Sequence, residues 1–340
     1  APERCRSRAT TLKISKELEV VDGKARMFYV GAAPWHGLGT TLNEPPTIEE
    51  GIIRAGLDWD VRLQPLHTRF DGEEMSVPGY ATVRSTDRKV LGVVGPTYRP
   101  VQNKDAFKFF QPFIDAKEAT LETAGSLRGG TRVWILARVC QTATEIAPND
   151  PVERFILLAN GHDGTLAVRA GLTPVRVVCQ NTLTMAHGDG ASKLLRIRHT
   201  AKAKEALDLV QQTMRAVNAE FEATFEQFKM LAKKGVRKED LEKYVRRVFA
   251  PKLVEKPSDA EGEKDSCERL LPPIIRLFEE GAGSDLPGSK GTWWGAYNSV
   301  TAFLSHERGR STDNRLNSIW FGDSLRLNSV ALRTAVLMAA

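Results

Sequence analysis

The chain has 340 residues, 41% hydrophobic and 26% charged, with 48 Lys and Arg against 42 Asp and Glu for a formal net charge of +6. This globular composition excludes whole-chain disorder and a collagen-like repeat, and the length suits one to three domains with a core that needs no disulfide staples. No apolar run reaches the roughly 18 residues of a membrane-spanning helix, and the basic start Ala1 to Arg8 lacks the apolar stretch of a secretion signal, so a cytoplasmic protein without a membrane partner is predicted. Cys5, Cys140, Cys179 and Cys267 lie far apart with no C-x-x-C pair, which predicts reduced thiols and no structural zinc.

In chain order, residues 1 to 26 read as a flexible basic arm, and the ordered body is expected to start near Met27. Thr47 with Glu50 three residues on forms a capping-box signal for a helix to about Ala55, stopped by Gly56. Trp59 to Thr68, Tyr80 to Ser85 and Val90 to Gly95 are β-rich runs with turn signals at Asp71-Gly72 and Thr86-Asp87, which predicts a meander. Asn103 is expected to cap a helix from Lys104 to Lys117 whose Phe107, Phe110, Phe113 and Ile114 share a face. Thr131 to Val139 alternates as a strand, with Arg132, Trp134, Leu136 and Arg138 on one side. Phe155 to Ala159 and Thr165 to Leu172 flank Asn160-Gly161-His162-Asp163-Gly164, a hairpin signal. Val175 to Cys179 and Leu194 to His199 read as strands, and Gln180 to His187 as a helical turn.

From Ala201 the pattern changes. Leu207, Val210, Met214, Val217, Phe221, Phe225, Phe228 and Leu231 recur at three- and four-residue steps, the mark of one long amphipathic helix ended by Gly235. A helix from Lys238 to Phe249, an exposed charged loop near 252–265, and helices over Trp293 to Glu307 and Leu325 to Met338 complete the chain. Strands followed by helices predict an α+β fold: a β-rich antiparallel core over residues 27–200 and a helical C-terminal region over 201–340.

Enzyme motifs mostly fail. There is no H-E-x-x-H and no G-x-S-x-G, and Gly283 to Lys290 resembles a phosphate loop but has no strand leading into it. Cys179 at the end of a Val-Val run reads as inert core. His162-Asp163, His306-Glu307 and Asp58 with Asp60 offer oxygen and nitrogen ligands for two-metal nuclease chemistry, or equally a hairpin turn, a helix end and a surface strand. The basic residues are more informative: between Thr165 and Thr200 stand Arg169, Arg176, Lys193, Arg196 and Arg198 against the single acid Asp189. Together with Arg132, Trp134 and Arg138 they form a set with cations to follow phosphates and a ring on which bases stack, the needs of a single-strand binder. The competing reading is a packed Trp134 beside arginines paired to acids.

Pro34 to Gly39, Ala55 to Trp59, Thr123 to Gly130, Asn160 to Gly164, Thr173 to Leu183, Arg198 to Thr200 and Gly295 to Thr301 carry a resemblance over about Met27 to His306. The chain resembles the phage/plasmid-like protein family, a domain of unknown function found in phages, plasmids and integrated elements of bacteria. That resemblance implies a role in mobile-element DNA metabolism in the bacterial cytoplasm. In layout the chain is similar to the Redβ, Erf and RecT single-strand annealing proteins, which implies single-stranded DNA binding and annealing by a homo-oligomeric ring or filament, with no nucleotide, metal or other cofactor. On this reading Arg128, brought close to phosphate by Gly129-Gly130, joins Arg132, Arg138, Arg169, Arg176, Lys193, Arg196 and Arg198 in holding the backbone, and Trp134 stacks. The alternatives are a metal-dependent nuclease or phosphoesterase using His162 and Asp163, and a non-enzymatic assembly or host-takeover protein.

Overall fold

The computed structural model describes residues 19–21, 24–31, 39–140, 143–176, 181–182, 194–215, 218–251, 261–309, 315, 318–319 and 322–340. The fold is α+β. The described chain begins inside the span expected as an arm, with a short hairpin of β1 (Val20–Val21) and β2 (Lys24–Ala25). Glu19 is buried there, ion-paired to Arg84 at 2.6 Å and accepting from Ser126 Oγ at 3.1 Å. Helix α1 (Ile48–Arg54) has the expected capping box, with Thr47 Oγ1 accepting from the Glu50 amide and the Glu50 carboxylate accepting from the Thr47 amide. The expected meander is a separate three-stranded antiparallel sheet of β5 (Val61–Phe70), β6 (Glu73–Arg84) and β7 (Val90–Val94).

The helix expected over Lys104 to Lys117 is instead two short ones, α2 (Asn103–Lys108) and α3 (Gln111–Asp115), because Pro112 at the start of the second cannot donate back into the first. Asn103 is not the cap. It lies inside α2, fully buried, and its Nδ2 donates to the carbonyls of Leu57 and Trp59 at 3.0 and 3.3 Å. Its phenylalanines do pack inward as the helical spacing predicts.

Among the described residues the main sheet has nine strands. Its path runs β13 (Asn181–Thr182), β12 (Val168–Arg176), β11 (Asp150–Gly161), β9 (Arg132–Val139), β8 (Ala119–Leu127), β3 (Met27–Val30) and β4 (Thr40–Leu42), with β10 (Thr144–Ala147) added to β11 and β14 (Leu195–Ile197) to β12. The pairings are antiparallel except β3 with β4. Strand β8 was not read from the sequence, and Asn181–Thr182 is strand where a helical turn was expected.

Both faces of this sheet are apolar. Val133, Ile135 and Ala137 of β9 join Ile156, Leu158, Val168 and Ala170 in a core closed by Ile48, Phe107, Phe110 and Phe113. Trp134 and Leu136 point the other way, with Met27, Tyr29, Phe155, Leu157 and Ala159.

The amphipathic run after Ala201 contains two described helices, α4 (Ala203–Arg215) and α5 (Asn218–Lys233), and they serve different cores. Leu207 and Val210 of α4 pack on the sheet, whereas Phe221, Phe225, Phe228 and Leu231 of α5 enter a C-terminal core. That second core also takes α6 (Lys238–Phe249), α7 (Glu261–Glu280), α8 (Trp293–Ala302), the π-helical turn Phe303–Glu307 and α9 (Asp323–Ala339). Helix α7 begins inside the stretch expected as a loop and carries Pro272-Pro273 in its interior.

The helical core reaches the sheet through Ile146 and Val152 and through one buried carboxylate. Asp150, fully buried at the start of β11, accepts from Trp294 Nε1 at 2.7 Å and from Ser289 Oγ at 3.4 Å. Asp150→Ala orphans the buried indole donor and is expected to cost about 3 kcal/mol in a denaturant titration, while Asp150→Asn, which keeps an acceptor, costs clearly less. No helix among the described residues is long and apolar enough to cross a membrane.

Candidate nucleic-acid interface

Directly opposed residues on neighbouring strands share a face of the sheet. The register pairs Trp134 with Ala159, Ala159 with Arg169, and Arg169 with Arg196, so these four form one row across β9, β11, β12 and β14. Arg132, opposite Gly161, stands two residues before Trp134 on the same face. Three cations therefore gather at one end of the sheet. Arg169 is half-buried between the other two, and burial first, then the charges of Arg196 and Arg132, lower its pKa. Both of those charged neighbours are cations. Arg132 also reaches Thr165 Oγ1 at 3.4 Å. Arg196 is exposed, as is Arg198 just beyond β14.

Other expected contacts fall elsewhere. Trp134 is no stacking platform: it is 2% exposed, and its ring lies so close to Gly125 that a Cβ there would stand 2.5 Å from its Cη2. Two apolar faces leave no open side for the ring. Arg138 is committed to acids, with Glu122 at 2.6 Å and Glu153 at 2.8 Å, and its guanidinium lies 5.7 Å from the centre of the Phe155 ring. It is therefore neutralised within the fold rather than offered to a phosphate.

Arg128 is exposed in a left-handed turn, φ 52°, followed by Gly129 at 63° and Gly130 at 90°. The space that glycine frees there is already used, by the Lys89 ammonium over Gly129 and by Arg84 and Trp59 against Gly130. Arg176 closes β12 opposite Val152, its side chain outside the described residues, as is Lys193. Lys89 was missed because only the tertiary fold brings the β6–β7 turn to Gly129.

Beneath this end of the sheet lies a buried polar network centred on His162, which is fully buried. Asn103 gives its amide hydrogens to two carbonyls, so its Oδ1 faces His162 Nε2 at 3.0 Å and makes that nitrogen the donor. The Trp59 ring meets the imidazole edge-on at 5.4 Å. His162 carbonyl accepts from Thr82 Oγ1 at 2.7 Å, and its amide donates to Thr131 O at 2.8 Å, directly beside Arg132. Burial, with a smaller contribution from His199, pushes the His162 pKa down to about 3.

His199 is stacked on Tyr98 at 4.7 Å, its Nε2 3.2 Å from Leu166 O, and burial lowers its pKa too. Asp163 accepts from the Thr165 amide and hydroxyl at 2.9 and 2.7 Å, a local turn that shapes the hairpin. The sequence motif thus builds a hydrogen-bonded layer that joins Arg132 through the Thr131 carbonyl.

The metal-ligand candidates are not brought together. Glu307 pairs with Arg276, and Asp60 lies 3.5 Å from Lys104. Among the described residues no group of three or more His, Cys, Asp or Glu is arranged to hold a metal ion. Cys179 lies outside the described residues, and Gly283 to Lys290 follows helix α7 rather than a strand.

A model of the family described as "Domain of unknown function (DUF932)" matches residues 90–320, a span that contains the whole arginine row. No curated protein and no solved structure matches the chain.

Proposed function

Because the chain belongs to the DUF932 family of domains of unknown function, and carries its arginine row within the family's span, we propose that it binds single-stranded DNA along Arg132, Arg169 and Arg196 and promotes annealing. In this reading it serves a phage or related mobile element, in the bacterial cytoplasm, as a homo-oligomer and without nucleotide or metal. The observation that carries it is the convergence on half-buried Arg169 of two further guanidiniums. Three positive charges are thereby concentrated at one end of the sheet, and such a concentration attracts a phosphate chain. Arg198 and Arg128, both exposed, extend the same charge.

The burial of Trp134 sharpens the reading rather than weakening it. A strand held only by its phosphates keeps its bases turned outward, and an annealing protein needs bases available for a second strand. Among the described residues the geometry does not favour the nuclease alternative, since the His162 ring is enclosed and Asp163 is engaged in its own turn.

The test is the annealing rate of two complementary labelled oligonucleotides in EDTA, with and without protein. Acceleration supports the reading. No acceleration, with label shortened once Mg²⁺ or Mn²⁺ is added, would replace it by nuclease chemistry. Silence in both assays would leave an assembly protein.

A further inference from the structure

The sheet β5–β6–β7 packs one face on the body at its base, while beyond β7 the hairpin β5–β6 projects with His67, Arg69, Glu74 and Ser76 exposed on that side as well. Val61, Arg84, Leu91 and Val94 are buried at that base. The register assigns the other side: Arg62 with Val83 and Val90, Gln64 with Ala81 and Val93, Leu66 with Val77, Thr68 with Met75, and Phe70 with Glu73. Eight large apolar side chains are exposed among the described residues, and four of them, Phe70 (69%), Met75, Val90 and Val93 (64%), stand on this one face. Isolated exposed apolar residues are ordinary, but a contiguous stripe is the mark of a covered surface. The edge of the sheet is a poorer candidate than its face, because Pro65 withholds an amide in the middle of edge strand β5.

Charge at the two ends of the stripe identifies the occupant. Arg62 lies at the base and Glu73 at the tip, about 26 Å apart at the rise of an extended strand. Both are exposed, and neither has an ion-pair partner among the described residues. A surface that is cationic at one end, apolar in the middle and anionic at the other is complementary to itself when turned by a twofold axis. We propose that this face is the homodimer interface of the protein, two copies stacking their β5–β6–β7 sheets antiparallel. Phe70 and Met75 of one copy then cover Val83, Val90 and Val93 of the other, and each Arg62 meets the partner copy's Glu73. The inference is independent of nucleic-acid binding: most of the surface, hairpin β5–β6, precedes the matched span 90–320.

The experiment is sedimentation velocity of the full chain over a concentration series. The unmodified protein is expected to dimerise, and Phe70→Glu combined with Val93→Glu to give a monomer with an unchanged far-ultraviolet spectrum, since both side chains point to solvent. Arg62→Glu and Glu73→Arg are each expected to weaken self-association about tenfold through repulsion at two equivalent contacts. An equimolar mixture of those two single variants should restore it, because every contact in the mixed dimer again joins opposite charges. A monomer at all concentrations would overturn the proposal, as would an equal loss in the mixture. So would a protein that stays monomeric but binds vesicles of phosphatidylcholine and phosphatidylserine through Phe70, which would make the stripe a membrane face.

Discussion

Replacing Arg169 and Arg196 together by Ala is expected to weaken single-strand binding about 25-fold at 0.1 M salt, because each lost phosphate contact removes about 0.7 from the slope of log K against log salt. The slope itself should become shallower by about 1.4 for the pair. Fluorescence anisotropy of a labelled oligonucleotide over a salt series reads both quantities. Folding should be preserved, since Arg169 carries a pKa lowered by burial and two like charges, and its removal relieves repulsion rather than breaking a pair. Arg138→Ala is the matched control. Its guanidinium is held by Glu122 and Glu153, so this change should lower stability and leave the salt slope unaltered.

His162→Ala should be the most destabilising single change at this site, by about 3 to 4 kcal/mol. It opens a cavity beside Trp59 and leaves Asn103 Oδ1 without its donor, while Asn103 Nδ2 remains fixed to Leu57 and Trp59. The same burial gives a signed pH dependence. The folded pKa of His162 is about 3, below the ordinary value of 6.5, so between those limits the unfolded chain binds a proton that the folded chain refuses.

Stability is therefore full above about pH 7 and falls as pH drops below 6.5, by about 2 kcal/mol from His162 alone between pH 7 and pH 5. His199, whose pKa is also lowered by burial, adds in the same direction. Denaturant midpoints measured from pH 7 to pH 5 should show this fall, and His162→Gln should flatten it. A midpoint that rises toward pH 5 would mean that the imidazole is charged in the fold.

Local signals were legible where one segment decides its own structure. The Thr47–Glu50 capping box, the meander and the hairpin around Asn160 to Gly164 all depend on neighbours in sequence, and all are present. Alternation placed Arg132, Trp134 and Arg138 on one side of β9 correctly, but it could not say whether that side meets solvent. Their fates differ because of what the fold brings to each: Gly125 and a second apolar layer to Trp134, two carboxylates to Arg138, and Arg169, with Arg196 opposite it, to Arg132.

The periodic run from Leu207 to Leu231 likewise hid a change of partner, since α4 and α5 keep one rhythm while packing on different cores. The charged composition near 252–265 misled in the opposite sense, suggesting a loop where α7 already begins at Glu261. Asn103 shows the limit most sharply: a residue type that favours caps is used here to fix the proton of His162, 59 positions away.

The central claim is that an arginine face holds a single strand by its phosphates. Binding of the unmodified protein to a fluorescent single strand and to the matching duplex, in EDTA across a salt series, tests it most directly. Three to five phosphate contacts predict a slope of about −2 to −3.5 on the single strand, tight binding at low salt, no need for metal, and weaker binding of the duplex. A flat salt response, or a duplex bound more tightly than the single strand, would contradict it.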